Sequence, residues 1–524
     1  MRWVASLVPV VLVAALPFAP VSGFVPQQKP EQKPGEKVTA FTNATLHTAT
    51  ADKPIEKGVL VVQGAKIIDV GPSAGVKIPA GADVIDLKGA TVIPGLVDTH
   101  SHVGVWTRPG VVANNDLSEM SGPVQPGVRA IDSFNPDDPG IRMALAGGVT
   151  TANVMPGSGN VIGGQTVYVK YRGRSIEEMR INGRAGGKEI VGGLKMANGE
   201  NPKGYGRTKG QAPFTRMKIA ALQRETFQKA KEYQAKLAAG GKVDRDLALE
   251  PLVEVLNGTR TVHFHCHRAD DLLTAIRISE EFGFEIVLQH ATEGYRVADV
   301  LAKKKIPVSL TVIDSPGGKA ETMGLLEENA AILNKAGVLV TINTDDSITE
   351  SRFFLRTAAI AVRGGMSEAD ALKAITINAA KLLHLDHRLG SLEKGKDADF
   401  VVLSGAPFSV YTHVRQTWID GKKVFGVDKD STYQTGGFAL PKGEKLWEEE
   451  IFSTEGRPPN APANEARTFD GSQAELKGAV AVQADYVHVG RGEFDGRGGA
   501  IVCKDGKVLH VHIGDVAIKN MPIY

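Results

Sequence analysis

Between residues 91 and 385, short apolar runs alternate with longer stretches in which apolar residues recur at helical spacing. The apolar runs begin near Val92 and continue at residues 148–154, 262–267, 285–290, 306–310 and 338–343. Such an alternation predicts βα units around a parallel sheet. The sequence therefore predicts an α/β fold whose central part is a (β/α)8 TIM-type barrel, with the active site at the carboxyl ends of its strands.

The segments on either side of this central part are rich in β-forming residues. Residues 37–90 include a hairpin pattern at 58–71, where two β-rich runs meet at a glycine-containing turn. Residues 386–430 return to strand patterns at 390–403 and 414–425. We predict that these two segments together form a β-sandwich that flanks the barrel.

The C-terminal residues 431–524 are predicted to be a linker followed by a β-rich extension. Residues 484–489 and 499–511 repeat the order of strand, glycine-containing turn and strand that is found in the N-terminal hairpin. The extension is therefore a candidate partial repeat of the sandwich. It contains no second Pro-Gly-Leu motif leading into a His-x-His pair, so we expect no second metal site there.

The N-terminus has the pattern of a secretory signal peptide. Arg2 precedes an apolar run at residues 4–19, and small residues at 21–23 offer a cleavage site. The run is interrupted by prolines and is shorter than the ~20 apolar residues that a membrane span needs. We therefore predict a cleaved signal peptide at residues 1–23, a linker at 24–36, a secreted or periplasmic mature protein, and no stable membrane insertion.

The composition limits the kinds of molecule that the protein is expected to bind. The net charge is +2 and 23% of residues are charged, which gives no indication of nucleic-acid binding. Only two cysteines are present, too few for a disulfide framework in a chain of 524 residues. A small-molecule substrate is the expected partner, and a homo-oligomer is compatible with a barrel of this type.

Histidines and one aspartate lie at the ends of several predicted strands. His100 and His102 are separated by one residue, so in a strand both imidazoles point to the same face and can reach one metal ion. The further candidates are His263, His265 and His267 on one strand, His290 at the end of the next, and Asp345 after the run at 338–343.

These residue types suit a divalent metal ion, because zinc and related ions favour imidazole and carboxylate ligands. We expect one or two ions, with Zn2+ first and Mn2+, Fe2+ or Co2+ as alternatives. Asp345 suits the role of general base, since a carboxylate beside a metal-activated water can accept its proton and pass it to the leaving nitrogen. Asp346 is the alternative, because a shift of one residue reverses the face of a strand.

Two motifs carry a resemblance to a known family, namely Gly-Leu-Val-Asp-Thr-His-Ser-His at 95–102 and Gly-Lys-Asp-Ala-Asp-Phe-Val-Val at 395–402. Over residues 37–425 the chain resembles the metal-dependent amidohydrolase superfamily. The segment Val-His-Phe-His-Cys-His-Arg at 262–268 is most similar to its imidazolonepropionase-like and Xaa-Pro dipeptidase-like branch. The resemblance implies a deformed (β/α)8 barrel joined to a β-sandwich.

The resemblance also implies a set of metal ligands. The implied ligands are His100 and His102 from the first strand, His265 from the fifth, His290 from the sixth and Asp345 from the eighth. His267 is the alternative to His265. Lys195 is the candidate for a carboxylated lysine that bridges two ions, with Lys170 as a weaker candidate and an ordinary lysine as the alternative. The remaining candidates are assigned to substrate binding: His263, His267 and Arg268.

The leading hypothesis is a secreted metal-dependent amidohydrolase that cleaves an amide bond of a dipeptide, an N-acyl amino acid or a cyclic amide. A deaminase of heterocycles is the alternative. The resemblance implies that a deaminase has an acidic residue three positions after its fifth-strand histidine ligand. Counted from His265, that position holds Arg268, which disfavours the deaminase. Asp270 holds the position only if His267 is the ligand. The third hypothesis is an inactive binding protein with the same fold, which the full set of candidate ligands disfavours.

Overall fold

A computed structural model describes residues 36–240, 242–312, 318–427 and, near the C-terminus, 467–522 apart from 471, 478, 488–495, 506 and 514–515. The predicted signal peptide and nearly all of the linker after it lie outside the described residues. The same holds for residues 428–466. Within the described ranges, no helix combines the length and the apolar character needed to cross a membrane.

The strands are β1 (Val38–Leu46), β2 (Ile55–Gln63), β3 (Lys66–Pro72), β4 (Asp83–Asp86), β5 (Thr91–Pro94), β6 (Leu96–Ser101), β7 (Val149–Val154), β8 (Ile162–Gln165), β9 (Val167–Lys170), β10 (Arg180–Ile181), β11 (Gly183–Ala185), β12 (Lys188–Ile190), β13 (Gly193–Ala197), β14 (Thr261–Cys266), β15 (Ile286–His290), β16 (Val308–Thr311), β17 (Val340–Asn343), β18 (Phe400–Leu403), β19 (Val414–Ile419), β20 (Lys422–Gly426), β21 (Arg467–Asp470), β22 (Val480–Val487), β23 (Gly496–Lys504), β24 (Lys507–Ile513) and β25 (Val516–Lys519).

The α-helices are α1 (Ala130–Ser133), α2 (Pro139–Ala146), α3 (Ile176–Met179), α4 (Glu200–Lys209), α5 (Arg216–Ala238), α6 (Glu250–Leu256), α7 (Ala269–Phe282), α8 (Ala298–Lys304), α9 (Asn329–Lys335), α10 (Phe354–Arg363), α11 (Glu368–Ala374) and α12 (Ile377–Leu382).

Both flanking β-rich segments join a single sheet. Its strand order is β20-β19-β18-β5-β1-β2-β3, with β4 added beside β1. Strand β18 pairs antiparallel with β5, so the chain that leaves the barrel returns to the strand that leads into it. The sheet therefore includes the chain as far as Pro94, whereas the barrel was predicted to begin at residue 91.

This sheet is rolled over its own core instead of forming two separate layers. Phe41 on β1 and Trp418 on β19 are three strands apart, about 14 Å in a flat sheet, yet their ring centroids are 5.0 Å apart. At the other edge, the Ile67 amide donates to the Lys396 carbonyl. Register shifts within β1 allow such bending. The predicted sandwich thus takes the form of one continuous, folded sheet.

The central strands form a ring. Strands β6 and β7 are parallel, and β13, β14, β15, β16 and β17 form a parallel series. The ring closes where the Asp345 amide, just after β17, donates to the His100 carbonyl in β6 (3.0 Å). The carboxyl ends of these strands consequently face one common mouth.

One position of the ring departs from the predicted (β/α)8 pattern. Between β7 and β13, the segment formed by β8 and β9 runs antiparallel to both neighbours. Only residues 155–161 connect β7 to β8, and a parallel crossover needs about a dozen residues or more. The chain therefore turns back beside β7, and the ring is a TIM-type barrel with one reversed strand.

Helices pack their apolar faces against the outside of the ring. In α7, the buried residues recur at 271, 272, 275, 276, 278, 279 and 282, which is the spacing of one helical face. The helix ends at Gly283, whose φ of 76° suits a glycine cap. This arrangement packs α7 against the barrel and directs the chain into β15.

A buried ionic network joins the barrel to the sheet. Lys170 at the end of β9 is fully buried, and its Nζ lies 2.7 Å from Asp397, 2.9 Å from Asp399 and 2.6 Å from Asp420. Lys66 also binds Asp397 (2.7 Å). Because removing one partner from such a network leaves uncompensated buried charge, these contacts link the two parts of the molecule firmly.

The C-terminal extension forms a three-stranded antiparallel sheet, β22-β23-β24, and a parallel pair, β21 with β25. The β23–β24 hairpin and the N-terminal β2–β3 hairpin each shift register near the turn. In both hairpins, a connection of two residues joins the last paired residues of the two strands. The partial repeat stays a prediction, with this common geometry in its favour.

Candidate metal centre

The residues singled out as candidate ligands meet at the carboxyl ends of the barrel strands. Within β6, β13 and β14, the period of two in a strand brings alternate side chains into the barrel. They are His100 in β6 and His102 just after it, Lys195 in β13, His265 in β14 and His267 just after it, His290 at the end of β15, and Asp345 after β17.

The first cluster consists of His100, His102 and Asp345. The Nε2 atoms of His100 and His102 lie 3.2 Å and 3.1 Å from Asp345 Oδ1. Both rings are buried, and the Asp345 side chain is 16% exposed. The carboxylate therefore faces the two imidazoles from the more open side.

Hydrogen bonds hold both rings of the first cluster in one tautomer. His100 Nδ1 donates to Gln289 Oε1 (3.1 Å), and His102 Nδ1 donates to the Met155 carbonyl (2.8 Å). Each Nε2 consequently presents its electron pair to the Asp345 carboxylate. Two imidazole nitrogens and a carboxylate oxygen that converge in this way are ligand types that zinc and related ions favour, so the donor set fits a metal ion.

The second cluster consists of His265, His267 and His290. Their ligand atoms lie within 4.8 Å of one another, and all three rings are buried. None of the three Nε2 atoms has a hydrogen-bond partner among the described residues. The Nδ1 atoms lie against hydroxyl oxygens, which are Ser158 Oγ (2.9 Å), Thr292 Oγ1 (2.8 Å) and Thr311 Oγ1 (2.8 Å), respectively.

Buried, unpartnered polar atoms are rare in proteins and usually indicate a missing ligand or ion. Burial lowers the pKa of His265 and His290 well below the usual range, and lowers the pKa of His267 to about 3. The three rings are therefore neutral, as metal binding requires. Three converging neutral imidazoles fit a divalent ion such as zinc.

His267 thus lies with the candidate ligands, although substrate binding was its first predicted role. His265 and His267 are two residues apart, so they share the inner face of β14 and its extension. Their ring centroids are 4.7 Å apart, and each lies within 4.8 Å of the His290 ring. The structure brings both of these histidines to the second cluster.

The two aspartates after β17 have different surroundings. Burial alone would raise the pKa of Asp345, but the adjacent nitrogens of His100 and His102 lower that pKa well below its usual range. Asp346 instead accepts hydrogen bonds from Arg108 (2.6 Å) and from the amide and hydroxyl of Ser351 (both 2.7 Å). Asp345 is therefore the one that faces the clusters, and Asp346 anchors neighbouring loops.

Two candidate ligands have a left-handed backbone. The φ angles of His290 and Asp345 are 68° and 46°, and Ala291 follows with 40°. Residues other than glycine rarely adopt this conformation, and it costs about 1–2 kcal/mol. Here it directs each side chain from the strand end into the mouth of the barrel.

Lys195 lies against the first cluster. It is fully buried, and its Nζ is 3.0 Å from His100 Nε2 and 3.2 Å from Met155 Sδ. Burial lowers the pKa of Lys195 to about 7. A neutral amine beside the candidate ligands is compatible with the predicted carboxylation, which stays a prediction.

His263 lies deeper in the barrel than was predicted for a substrate-binding residue. It is fully buried, its Nδ1 accepts a hydrogen bond from Gln289 Nε2 (3.0 Å), and its Nε2 is 3.2 Å from Asn153 Nδ2. Because Gln289 also accepts from His100, these contacts form a chain from His263 to His100. This corrects the prediction: His263 supports the first cluster from below.

Arg268 is likewise not directed at the clusters. Its guanidinium forms two hydrogen bonds to Asp270 (2.9 Å and 2.8 Å), and both side chains are exposed. The predicted contact with a substrate carboxylate is therefore replaced by a surface ion pair. The period of the chain explains this, since Arg268 follows His267 and belongs to the opposite face.

The residues that orient the rings were not identified from the sequence. Gln289 directly precedes His290, and Thr292 follows it by two residues. This closeness in sequence to a candidate ligand is the only signal that could have identified them. A small cavity adjoins His290 between the ends of β15 and β16. Its lining includes Thr292, Leu310, Leu325, Leu326 and Ala330.

Comparisons with known proteins agree with this geometry. Residues 91–424 match the model of the amidohydrolase family. The solved structure of an amidohydrolase from Thermotoga maritima MSB8 is 41% identical, with a TM-score of 0.70, over 74% of this chain and 100% of that one.

Two curated relatives extend the comparison. Amidohydrolase tasK from Hapsidospora irregularis is 29% identical over 428 residues, which cover 75% of this chain but only 43% of that protein. Imidazolonepropionase from Deinococcus radiodurans is 25% identical over 379 residues, covering 67% of this chain and 86% of that protein.

The family predicted from the sequence is confirmed, and the match to an imidazolonepropionase agrees with the predicted branch. The fold neighbours imply a TIM-barrel-type α/β fold. Members of the family usually depend on divalent metals, and the two clusters are candidate sites for such ions. The chain therefore belongs to the amidohydrolase family, and its family and relatives support a hydrolase that acts on carbon–nitrogen bonds.

Proposed function

We propose that the protein is an exported metal-dependent amidohydrolase that cleaves an amide bond of a small substrate, such as a dipeptide, an N-acyl amino acid or a cyclic amide. The observation that carries the proposal is the meeting of two clusters of electron-pair donors at the mouth of the barrel. Export rests on the N-terminal pattern of Arg2, apolar run and small residues.

The two clusters would hold the metal. One ion would lie among His100, His102 and Asp345, and another among His265, His267 and His290. A divalent ion in such a site polarises a carbonyl oxygen and favours attack by water near neutral pH. Zn2+ is the first candidate, and Mn2+, Fe2+ or Co2+ suit the same ligands.

Asp345 is the proposed general base and acid. Its Oδ1 faces the first cluster, and its Oδ2 lies 3.8 Å from the ring of His290, so the carboxylate lies between the clusters. Because the neighbouring histidines hold its pKa low, Asp345 is ionised and can accept a proton from water. It would then deliver that proton to the leaving nitrogen.

The position of His267 in the second cluster puts Asp270 three residues beyond a candidate ligand, where the deaminase alternative needs an acid. Asp270 is instead exposed and pairs with Arg268 at the surface, which disfavours that alternative. The alternative of an inactive binding protein predicts missing ligands, whereas every candidate position is occupied.

The experiment is a turnover screen of Zn- and Mn-loaded protein against dipeptides, N-acyl amino acids and cyclic amides, with metal content measured on the same sample. Asp345→Asn should keep the fold and abolish turnover, and Asp270→Asn is the matched surface control. Wild-type turnover by the Asp345 variant would reassign the base. Absence of any bound or activating metal would exclude the proposal. The intact mass of exported protein tests the cleavage after residue 23.

A further inference from the structure

Asp98 is a buried carboxylate that the proposed reaction does not use. It lies in β6 two residues before His100, so both side chains share the inner face of the barrel, with Asp98 one step deeper. Its side chain has no exposed surface. Because a buried carboxylate is costly unless hydrogen bonds satisfy its oxygens, the partners of Asp98 indicate what it does.

Three donors bind this carboxylate, and two of them belong to one residue. Oδ1 accepts from the amides of Thr344 (3.1 Å) and His100 (3.2 Å), and Oδ2 accepts from the Thr344 hydroxyl (2.5 Å). Thr344 is fully buried and directly precedes Asp345. Asp98 therefore connects β6 to the chain just after β17.

These hydrogen bonds lie where the ring closes. Strands β6 and β17 are its first and last strands, and the bond from the Asp345 amide to the His100 carbonyl (3.0 Å) joins them through the backbone. The two bonds from Thr344 to Asp98 support this closure from the adjoining residue. The position of Asp345 beside β6 thus depends on the Asp98 side chain as well as on the backbone.

The backbone of Asp345 needs such support. Its φ of 46° is left-handed, a conformation that a residue other than glycine keeps only where its surroundings impose it. On the amino side, Asp98 binds the amide and the hydroxyl of Thr344. On the carboxyl side, the Ile348 amide donates to the Asp345 carbonyl (2.7 Å). The turn is therefore held on both sides, and Asp98 supplies the side-chain contacts from β6.

We propose that Asp98 is a positioning residue that acts through Thr344 on the carboxylate of Asp345. It keeps that carboxylate beside His100 and His102, whose Nε2 atoms lie 3.2 Å and 3.1 Å from Asp345 Oδ1. Without these hydrogen bonds, the left-handed residue relaxes and its carboxylate leaves the two imidazoles. The inference rests on the proposed function, in which Asp345 is both a candidate ligand and the general base.

The test breaks the contact from each side. Thr344→Val removes the hydroxyl, and Asp98→Asn replaces the acceptor Oδ2 with an amide nitrogen at nearly the same volume. Zn2+ affinity is measured by competition with a chromophoric chelator, and anomalous diffraction from crystals grown at limiting Zn2+ assigns each ion to a cluster. Both variants should weaken Zn2+ binding at the first cluster about tenfold or more, as loss of a residue that orients a ligand does. Binding at the second cluster should change by less than about twofold, because the hydroxyls that orient its imidazoles are untouched.

Two substitutions are the matched controls. Thr344→Ser keeps the hydroxyl and should retain wild-type affinity. Thr341→Val removes an equally buried hydroxyl from β17 that donates to the Val308 carbonyl (3.1 Å) instead of Asp98, and it should also change nothing. Wild-type affinity at the first cluster in both test variants would overturn the inference, as would equal losses at the two clusters. An effect of Thr344→Val alone would also overturn it, because that hydroxyl accepts from the Asp346 amide (3.2 Å) as well.

Turnover separates this inference from the proposed function. Where the wild type cleaves an amide, Thr344→Val and Asp98→Asn at saturating Zn2+ should lower kcat about tenfold or more with little change in KM, since Asp345 acts in the chemical step. A wild type that cleaves no amide, together with the expected Zn2+ results, would refute the hydrolase and support the positioning role. Amide cleavage with kcat and Zn2+ affinity unchanged in both variants would do the opposite.

Discussion

Gln289 offers the sharpest test of how the first cluster is organised. This fully buried side chain accepts from His100 Nδ1 (3.1 Å) and donates to His263 Nδ1 (3.0 Å). Gln289→Leu keeps the approximate volume and removes both hydrogen bonds. We expect the variant to fold and to bind metal more weakly.

The magnitude follows from what happens to His100. Without Gln289, a ring that keeps its hydrogen on Nδ1 has a buried donor with no acceptor, which costs about 1–3 kcal/mol. The ring can avoid this cost by moving the hydrogen to Nε2, but it then loses the electron pair that faces Asp345. Since about 1.4 kcal/mol is a factor of ten, metal affinity should fall roughly 10- to 100-fold, as for other residues that orient ligands.

The assay is competition between the protein and a chromophoric chelator for Zn2+, with thermal unfolding measured in parallel. Gln223→Leu is the matched control, because Gln223 is equally buried and bonds Ala197 and Asn198 instead of a candidate ligand. If Gln289→Leu folds and keeps wild-type affinity for Zn2+, then the hydrogen bond from His100 does not organise a metal site.

Three further predictions concern stability. Lys170→Met should lower the free energy of unfolding by about 3–5 kcal/mol in chemical denaturation, because it removes the buried cation that three aspartates share and leaves Asp399 without an ion-pair partner among the described residues; an unchanged midpoint would contradict this. Burial raises the pKa of Glu321 from 4.5 to about 7, despite Arg216, so its contribution is full below pH 4.5 and is lost as pH rises towards 7. Glu321→Gln should flatten that part of the profile of melting temperature against pH, and an unaltered slope would refute the assignment. Chelation of a protein saturated at 100 times Kd should remove about 2.7 kcal/mol of stability, and calorimetry that detects no shift would argue against metal in the clusters.

The period of two in a strand accounts for most of what could be predicted. It brings His100 with His102, and His265 with His267, to the inner face of the barrel. The same rule turns Arg268 outward. Spacing alone could not decide which histidines meet at the strand ends, because that depends on where each strand stops pairing.

Other features depend on contacts between distant parts of the chain. The strand β8–β9 is reversed because its connection to β7 is too short for a crossover. The pattern of apolar residues gives no information about strand direction. The rolled sheet depends on register shifts in β1 that become visible only in the pairing. Gln289 and Ser158 are residue types that are common in any chain, so only their contacts with the clusters distinguish them.

The left-handed backbone at His290 and Asp345 has a consequence for engineering this protein. Glycine relieves that backbone cost most cheaply at Asp345, whose side chain is partly exposed, so a library selected for heat resistance without metal should enrich Asp345→Gly among its survivors. Variants selected in this way would have lost a candidate metal ligand. Any programme to stabilise the protein should hold both positions constant and select for metal retention together with melting temperature.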